Sequence, residues 1–470
     1  MGQIEKETDL LVKFRVTNTN STGGLFMNKG TSKGEKKQDS RELEDKCWKF
    51  LQPLLEQLHV LVDRRLVKTL LDLVMVILMH RNRNNGLWLS ELGDHLLGGE
   101  RGPAGVKRIA NLLHSAKWES VLILKYLWKR GEEKVKELLV QKEEAYVIWD
   151  ESVLEKSESL KAEGLCAVRS TKAARLKRIK PGYFNPPTDR PIFVPGINWL
   201  QVLVTGMKGT PVLAHLCWWT TRGEKASKKR GEESNILKKV QKLWGRKVIH
   251  IWDRGFAGSP WTSLALDHHL RFILRWNKNY HLIGPDGRKR EVWKISRGKH
   301  SWEYRMIWDA RRRCQRKTGV IAFPIYLPED DRQLFLVISR PGYGRKPWYL
   351  ITSEPVYTAE QAWKIIFAYA RRWQIEMSLR FTKSEMAFES PRLIKWESRL
   401  KFLLIASLAY AFLLSLLPNT DFLFTLISRY CHRTGKWSRD ISAPLYRLRL
   451  AISRLWLLFR PHSLPTLISG

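Results

Sequence analysis

The sequence predicts an α/β fold: a mixed β-sheet with helices on both faces, interrupted by an all-β insertion, with a helical N-terminal domain and a helical C-terminal region. Three observations predict it. Apolar periodicity is helical from Arg41 to Glu137 and gives way to β-branched, strand-like runs at Ala145. Two of those runs, Ala145 to Asp150 and Lys247 to Asp253, read alike and both end Ile-Trp-Asp. The stretch Ala359 to Phe388 contains no Pro or Gly and reads as one helix.

The elements follow in order. Residues 1–40 are poor in large apolar side chains, and Thr17 to Ser40 is rich in Gly, Ser, Thr, Asn and Lys, a composition that predicts disorder. Residues 41–140 form the helical domain, in which Leu66, Leu70, Leu71, Val74, Ile77 and Leu78 make an apolar stripe. Leu87 to Leu97 and Val106 to Leu113 are two short helical segments around a Gly/Pro-rich break, in the manner of a helix-turn-helix pair. Lys107 and Arg108 open the second of them, where nucleic-acid contacts would fall; a scaffold bundle with solvated charges fits the same pattern.

Residues 141–276 supply strands ending near Asp150, strands at Trp199 to Thr205 and Pro211 to Thr220, and a polar helix from Glu233 to Trp244. The strand into Asp253, a short helix Pro260 to His268, and the strand Arg271 to Trp276 complete this part. Residues 277–357 read as the β-rich insertion, with strands at Trp302 to Trp308, Gly319 to Leu327, Gln333 to Ser339 and Trp348 to Thr352. Residues 358–418 return to the core with two helices, and residues 419–470 form the helical, Arg-rich C-terminal region. The apolar run Phe402 to Leu417 is shorter than the roughly 20 residues a membrane span needs and reads as a buried core helix.

The chain has 470 residues, with Lys plus Arg 82 against Asp plus Glu 46, a net charge of +36 that argues for a polyanionic partner. Ribosomal and membrane-surface proteins share such a surplus, so charge alone does not choose among them. Most of the 21 Trp residues should be core anchors, with a few free to stack on bases. The five cysteines are scattered without a Cys-x2-Cys pair, which predicts free thiols and no structural zinc. No signal-peptide pattern opens the sequence, and no Gly-rich phosphate loop ending Lys-Ser or Lys-Thr occurs, so no nucleotide cofactor is expected.

The chemistry concentrates in Tyr369, Arg372, Glu376 and Lys383, spaced Tyr-x2-Arg-x3-Glu-x6-Lys. On a single helix these offsets fall within about 60° of one another, one narrow stripe of a carboxylate flanked by two cations and a phenol. A carboxylate can hold a metal ion, and neighbouring cations can hold phosphate. Upstream, Asp253-Arg-Gly-Phe256 follows one strand, and Asp150-Glu-Ser152 ends another. Asp189 competes with Asp150 for the first position but sits in a Pro-bounded loop, a poor mount for a ligand. A third Ile-Trp-Asp ends on Asp309, beside Arg311, Arg312 and Arg313, and reads as a surface acid pairing with them.

This spacing resembles the signature of bacterial insertion-sequence transposases of the DDE class, and the likeness extends over Trp348 to Lys383 and, more loosely, from Ala145 to Leu417. The resemblance implies a ribonuclease-H-like core, whose strand and helix order the segments above follow. It implies that Asp150, Asp253 and Glu376 are the catalytic metal ligands for two Mg²⁺ ions, with Mn²⁺ able to substitute. It implies that Tyr369, Arg372 and Lys383, with Arg254, grip DNA phosphate. Trp348, in register with the signature, would stack on a flipped base; the residues equally allow a core strand position. The implied activity is cut-and-paste transposition of double-stranded DNA, by a homodimer in the DNA complex, in the bacterial cytoplasm at the nucleoid and without a membrane. A ribonuclease-H-like DNA nuclease without strand transfer, and a non-catalytic DNA-binding relic, use the same residues and stay open.

Overall fold

The computed structural model describes residues 32–156, 161–173, 190–309, 314–342, 346–431 and 444–459. Helix α1 (Lys33–Leu61) begins inside the segment expected to be disordered, whose residues 1–31 lie outside the described part. The reason is local and tertiary at once. Ser32 and Glu35 close a capping box, Asp39 accepts hydrogen bonds from Arg429 and Tyr430, and Ser40 donates to the Phe459 carbonyl.

Four helices follow: α2 (Arg64–Met79), α3 (Leu89–Leu97), α4 (Gly102–His114) and α5 (Val121–Val140). The helix-turn-helix-like pair is α3 and α4, which cross so closely that a Cβ on Gly105 would lie 2.3 Å from the Gly93 carbonyl oxygen. Arg108, expected to face a nucleic acid, instead turns inward to Asp72 and Thr69 of α2, while Lys107 stays exposed.

The strands are β1 (Ala145–Glu155), β2 (Cys166–Arg169), β3 (Phe193–Thr205), β4 (Val212–Trp219), β5 (Val248–Trp252) and β6 (Arg271–Arg275). Helices α6 (Lys229–Trp244) and α7 (Ser259–Asp267) are interleaved with them. β4 pairs β3, β3 runs antiparallel to β1, and β1, β5 and β6 run parallel. This gives the order β4-β3-β1-β5-β6 that the ribonuclease-H-like expectation requires.

The insertion holds β7 (His281–Ile283), β8 (Lys289–Glu291), the short α8 (Val292–Ile295), β9 (Glu303–Asp309), β10 (Cys314–Leu327), β11 (Asp330–Arg340) and β12 (Trp348–Thr352). It continues the core sheet edge to edge: β12 pairs β6, and β11 and β10 follow. Asp309 pairs with Arg316; the three arginines expected to meet it lie outside the described residues.

The last helices are α9 (Ala359–Ala370), α10 (Trp373–Ser384), α11 (Trp396–Leu416), α12 (Thr420–Tyr430) and α13 (Pro444–Leu458). α11 is apolar on every side and is the one described helix long and apolar enough to cross a membrane; it is buried against α2, α4, α5 and α13. The N- and C-terminal helices thus share one apolar cluster on one face of the sheet, and the boundaries expected at 140 and 418 separate elements that pack together. The opposite face carries α6, α7 and a tryptophan-rich cluster of Trp149, Trp252, Trp261 and Trp276. All five cysteines are free.

Candidate active site

Strand alternation and register bring the two aspartates together. Ile148 of β1 pairs with Ile251 of β5 in parallel register, so two residues further on Asp150 and Asp253 stand side by side on neighbouring strands. Alternation puts both on the face of Tyr146, Ile148, Ile249 and Ile251, the face that α9, α10 and α11 cover. The register extends the row in both directions: Asp150 pairs with Gln201 of β3, and Ile251 with Ile273 of β6, which aligns Arg275 beside Asp253. Asp253 caps the following 3₁₀ turn through the Gly255 N–H, and a Cβ on Gly255 would meet that carboxylate at 2.8 Å. A side chain there would have to displace that carboxylate oxygen.

The third carboxylate arrives on the second of two successive helices, where the sequence predicts one unbroken helix. The N–H groups of Arg371, Arg372, Gln374 and Ile375 bond three residues back, a tight 3₁₀ turn between α9 and α10. The stripe angles of a single ideal helix do not apply across it. Arg371 fixes the turn: its buried guanidinium donates to Thr205 Oγ1 (2.9 Å) and to the carbonyls of Gly206 (3.1 Å) and Gly209 (2.6 Å). Burial lowers its pKa to about 10. Ser378 Oγ donates to Gln201 Oε1 at 2.9 Å and ties α10 to the strand next to Asp150. α10 then carries Glu376 over the aspartates.

Arg372 joins the parts. Its guanidinium pairs with Glu376 one turn on and lies 3.5 Å from Asp150 Oδ2. Burial pushes the Asp150 carboxyl up to about 7, the Asp253 charge and, less strongly, Glu376 push the same way, and Arg372 and the Glu151 N–H oppose them. Tyr369 is buried beneath, its ring edge-to-face with Trp348 at 5.2 Å and 73° and 5.8 Å from the Arg372 guanidinium. Burial raises its hydroxyl pKa, against the nearby charges of Arg372 and Arg275.

Asp150, Asp253, Glu376, Arg372, Tyr369 and Trp348 are thus neighbours. Trp348 is half-buried in β12, paired with Ser339. Lys383 lies two turns beyond Glu376, between Glu389 and Glu155; burial lowers its pKa and those two charges oppose the shift. Arg254 is exposed just past Asp253. Asp189 falls outside the described residues. Arg275, Gln201, Ser378 and Arg371 were missed by sequence reasoning. Arg275 was legible as the strand position two after Ile273; the others depend on contacts far apart in sequence.

Among the described residues no three His, Cys, Asp or Glu side chains form a ready-made metal cage. The donor chemistry nonetheless fits a hard divalent cation. Asp150 within β1 and Asp253 just past β5 are adjacent carboxylates, burial raises Asp150, and Arg372 is the cation set between Asp150 and Glu376 of α10. On the reverse face of β1, Glu151 meets Glu233 of α6, with Lys229 paired to Glu151 and Arg230 to Glu233. Burial and the Glu151 hydrogen bond raise the Glu233 pKa to about 8.

The family model described as the transposase DDE domain matches residues 190–412, so this stretch of the chain is similar to that domain. The matched stretch includes Asp253 and Glu376 and begins after Asp150. Among solved structures, a cryo-EM structure of piggyBac transposase in a synaptic complex with hairpin DNA is similar at 14% identity and a TM-score of 0.40, covering 86% of this chain and 74% of that one. No curated protein matches the chain in sequence.

Proposed function

We propose that the chain is a cut-and-paste DNA transposase that cleaves the ends of its element and transfers the freed 3′-hydroxyl strand into target DNA. The observation that supports this most strongly is the row Gln201, Asp150, Asp253 and Arg275 on one sheet face, with Glu376 held over it by Arg372. Asp150, Asp253 and Glu376 would hold two Mg²⁺ ions, or Mn²⁺ in their place. Bound there, the ions supply charge relief at the leaving oxygen and acidify the attacking water.

The rest is the work of the chain itself. Arg372 Nε is buried without a partner among the described residues and offers its N–H to a phosphate oxygen beside the carboxylates. Arg254, exposed next to Asp253, and Lys383, further along α10, extend the phosphate track. Tyr369 holds the Trp348 ring at the rim, where it can take a splayed base. The net charge of +36 carries affinity for double-stranded DNA through counterion release. Holding two element ends together calls for a homodimer on DNA, acting at the nucleoid in the cytoplasm.

The test is cleavage and joining of a labelled duplex bearing the sequence that flanks the gene, with and without Mg²⁺, and with Glu376→Gln as control. Metal-dependent joining lost in the variant is the expected result. Cleavage without joining of pre-cut ends would replace the reading by a nuclease, and salt-sensitive binding without cleavage would replace it by a non-catalytic relic.

A further inference from the structure

The β9–β10 ribbon at the end of the insertion carries side chains that the site above does not use. β9 pairs only with β10 among the described strands. Its odd residues face the helices: Arg305 binds Glu303 and Glu360 and lies 5.2 Å from the Trp363 ring. Its even residues face outward, and Trp302, Tyr304 and Met306 are about half exposed, at 45%, 52% and 53%. Such a row of large apolar side chains on a strand asks for a partner.

The charges around the row select the partner. Lys317 of β10 pairs with Met306 and sets its ammonium 4.8 Å from the Tyr304 ring centre. The preceding turn presents exposed Arg297, Lys299 and His300, and Arg340 pins it by donating to the Ser296 and Lys299 carbonyls. The two carboxylates of β9, Glu303 and Asp309, stand on the other face and pair with Arg305 and Arg316. An aromatic row ringed by cations suits a polyanion with π-faces, whereas a second copy of a chain with net charge +36 would be repelled. Alternate strand residues stand about 6.8 Å apart, close to the rise of two nucleotides at about 3.4 Å each. The register Trp348, Ser339, Val320, Glu303 puts the ribbon three strands from Trp348 and five from Asp253, about 24 Å or seven nucleotides from the carboxylates, with the outward row on the opposite face of the sheet.

We propose that the outward face of this ribbon, Trp302, Tyr304, Met306 and Lys317, is a second DNA-contact surface that stacks the bases of an unpaired strand flanking the cleavage site. The inference rests on the reading of the chain as a DNA-cleaving transposase and adds where a displaced strand goes.

The test is binding of a fluorescent oligothymidine and of a duplex, by anisotropy over a salt series, to the full chain. Trp302→Ala and Tyr304→Ala should each weaken single-strand binding by at least about fivefold, with duplex binding little changed. Trp302→Phe and Tyr304→Phe keep a ring and should restore most of the affinity. Lys317→Ala should lower the salt slope by about 0.7, and the aromatic variants should leave it unchanged. Unchanged single-strand affinity in the alanine variants, while the wild type still cleaves duplex DNA, overturns the ribbon assignment and leaves the transposase reading standing. Loss of self-association in those variants with unchanged DNA binding makes the ribbon a contact between copies and overturns it too. A wild type that binds no DNA removes both readings.

Discussion

Replacing Arg372 by Met tests the centre of the site. Arg372 touches Asp150 and Glu376, and its side chain is 12% exposed. At an effective dielectric of about 20, a unit charge pair at the observed 3.5 Å is worth about 5 kcal/mol of gross attraction. Removing one member of a buried pair costs about 3–5 kcal/mol, and Met keeps the apolar stem, so a loss of about 3 kcal/mol is expected. The loss should depend on pH in a definite direction. The Asp150 carboxyl is raised in the fold to about 7 from an ordinary 3.8, so its burial is best tolerated at low pH and stability falls as pH rises between those values. Without Arg372 the carboxyl rises further, and the decline continues above pH 7. The variant should therefore melt close to the wild type near about pH 5.5 and well below it near about pH 8.5. Carboxylates that bind Mg²⁺ in the folded state only are stabilised by it through mass action. At high pH, Mg²⁺ should raise the melting temperature of the variant more than that of the wild type, because the competing internal cation is gone. Thermal melts at both pH values with and without MgCl₂ read all of this. Equal deficits at the two pH values, or equal Mg²⁺ effects in the two proteins, would refute Arg372 as the internal counter-ion of the carboxylates.

Three further outcomes are expected. Ser378→Ala leaves the buried Gln201 carbonyl without its donor, which costs about 1–3 kcal/mol and lets α10 shift, so DNA cleavage should slow at saturating substrate while DNA affinity holds. Gly105→Ala forces a methyl against the Gly93 carbonyl, and the strain of overpacking, about 1–3 kcal/mol, should appear as a lower melting temperature with catalysis per folded molecule unchanged. His250 is buried and accepts a hydrogen bond from Trp149 Nε1 on Nδ1, and burial lowers its pKa from 6.5 to about 3. The unfolded chain takes up that proton first, so stability should fall by about 1.4 kcal/mol per pH unit below pH 6.5 on this account, and His250→Phe should flatten the acid limb by one proton.

How far the sequence could be read follows from the range of the forces involved. Asp150 and Asp253 were legible because strand burial is a local pattern: two apolar runs buried on both faces read as central strands and an acid follows each, although β1 does not end at Asp150 as expected but continues to Glu155, because its pairing with β3 runs on to Gly196. Strand β12, Trp348–Thr352, was legible for the same reason. The break between α9 and α10 was not. Nothing in the helical propensity of Tyr369 to Glu376 interrupts the helix; the turn is set by Arg371, whose acceptors lie in β3 and the turn after it. The helical start at Lys33 was hidden in a polar composition because its anchors, Arg429, Tyr430 and Phe459, come at the far end of the chain.

The insertion shows why register matters more than the list of residues. A separate β domain could swing relative to the carboxylates, but β12 pairs with β6 through Leu350 and Arg275, Ile351 and Leu274, and Thr352 and Ile273. Arg275 beside Asp253 and Trp348 beside Tyr369 are therefore carried by adjacent strands of one sheet. A strand slip of one residue in β12 would turn Trp348 to the opposite face, away from Tyr369, and Leu350 out of the cluster it shares with Ile251 and Ile273. Burial of that face thus sets the position of the rim tryptophan, and the same hydrogen-bond ladder fixes the distance from the carboxylates to the outer ribbon.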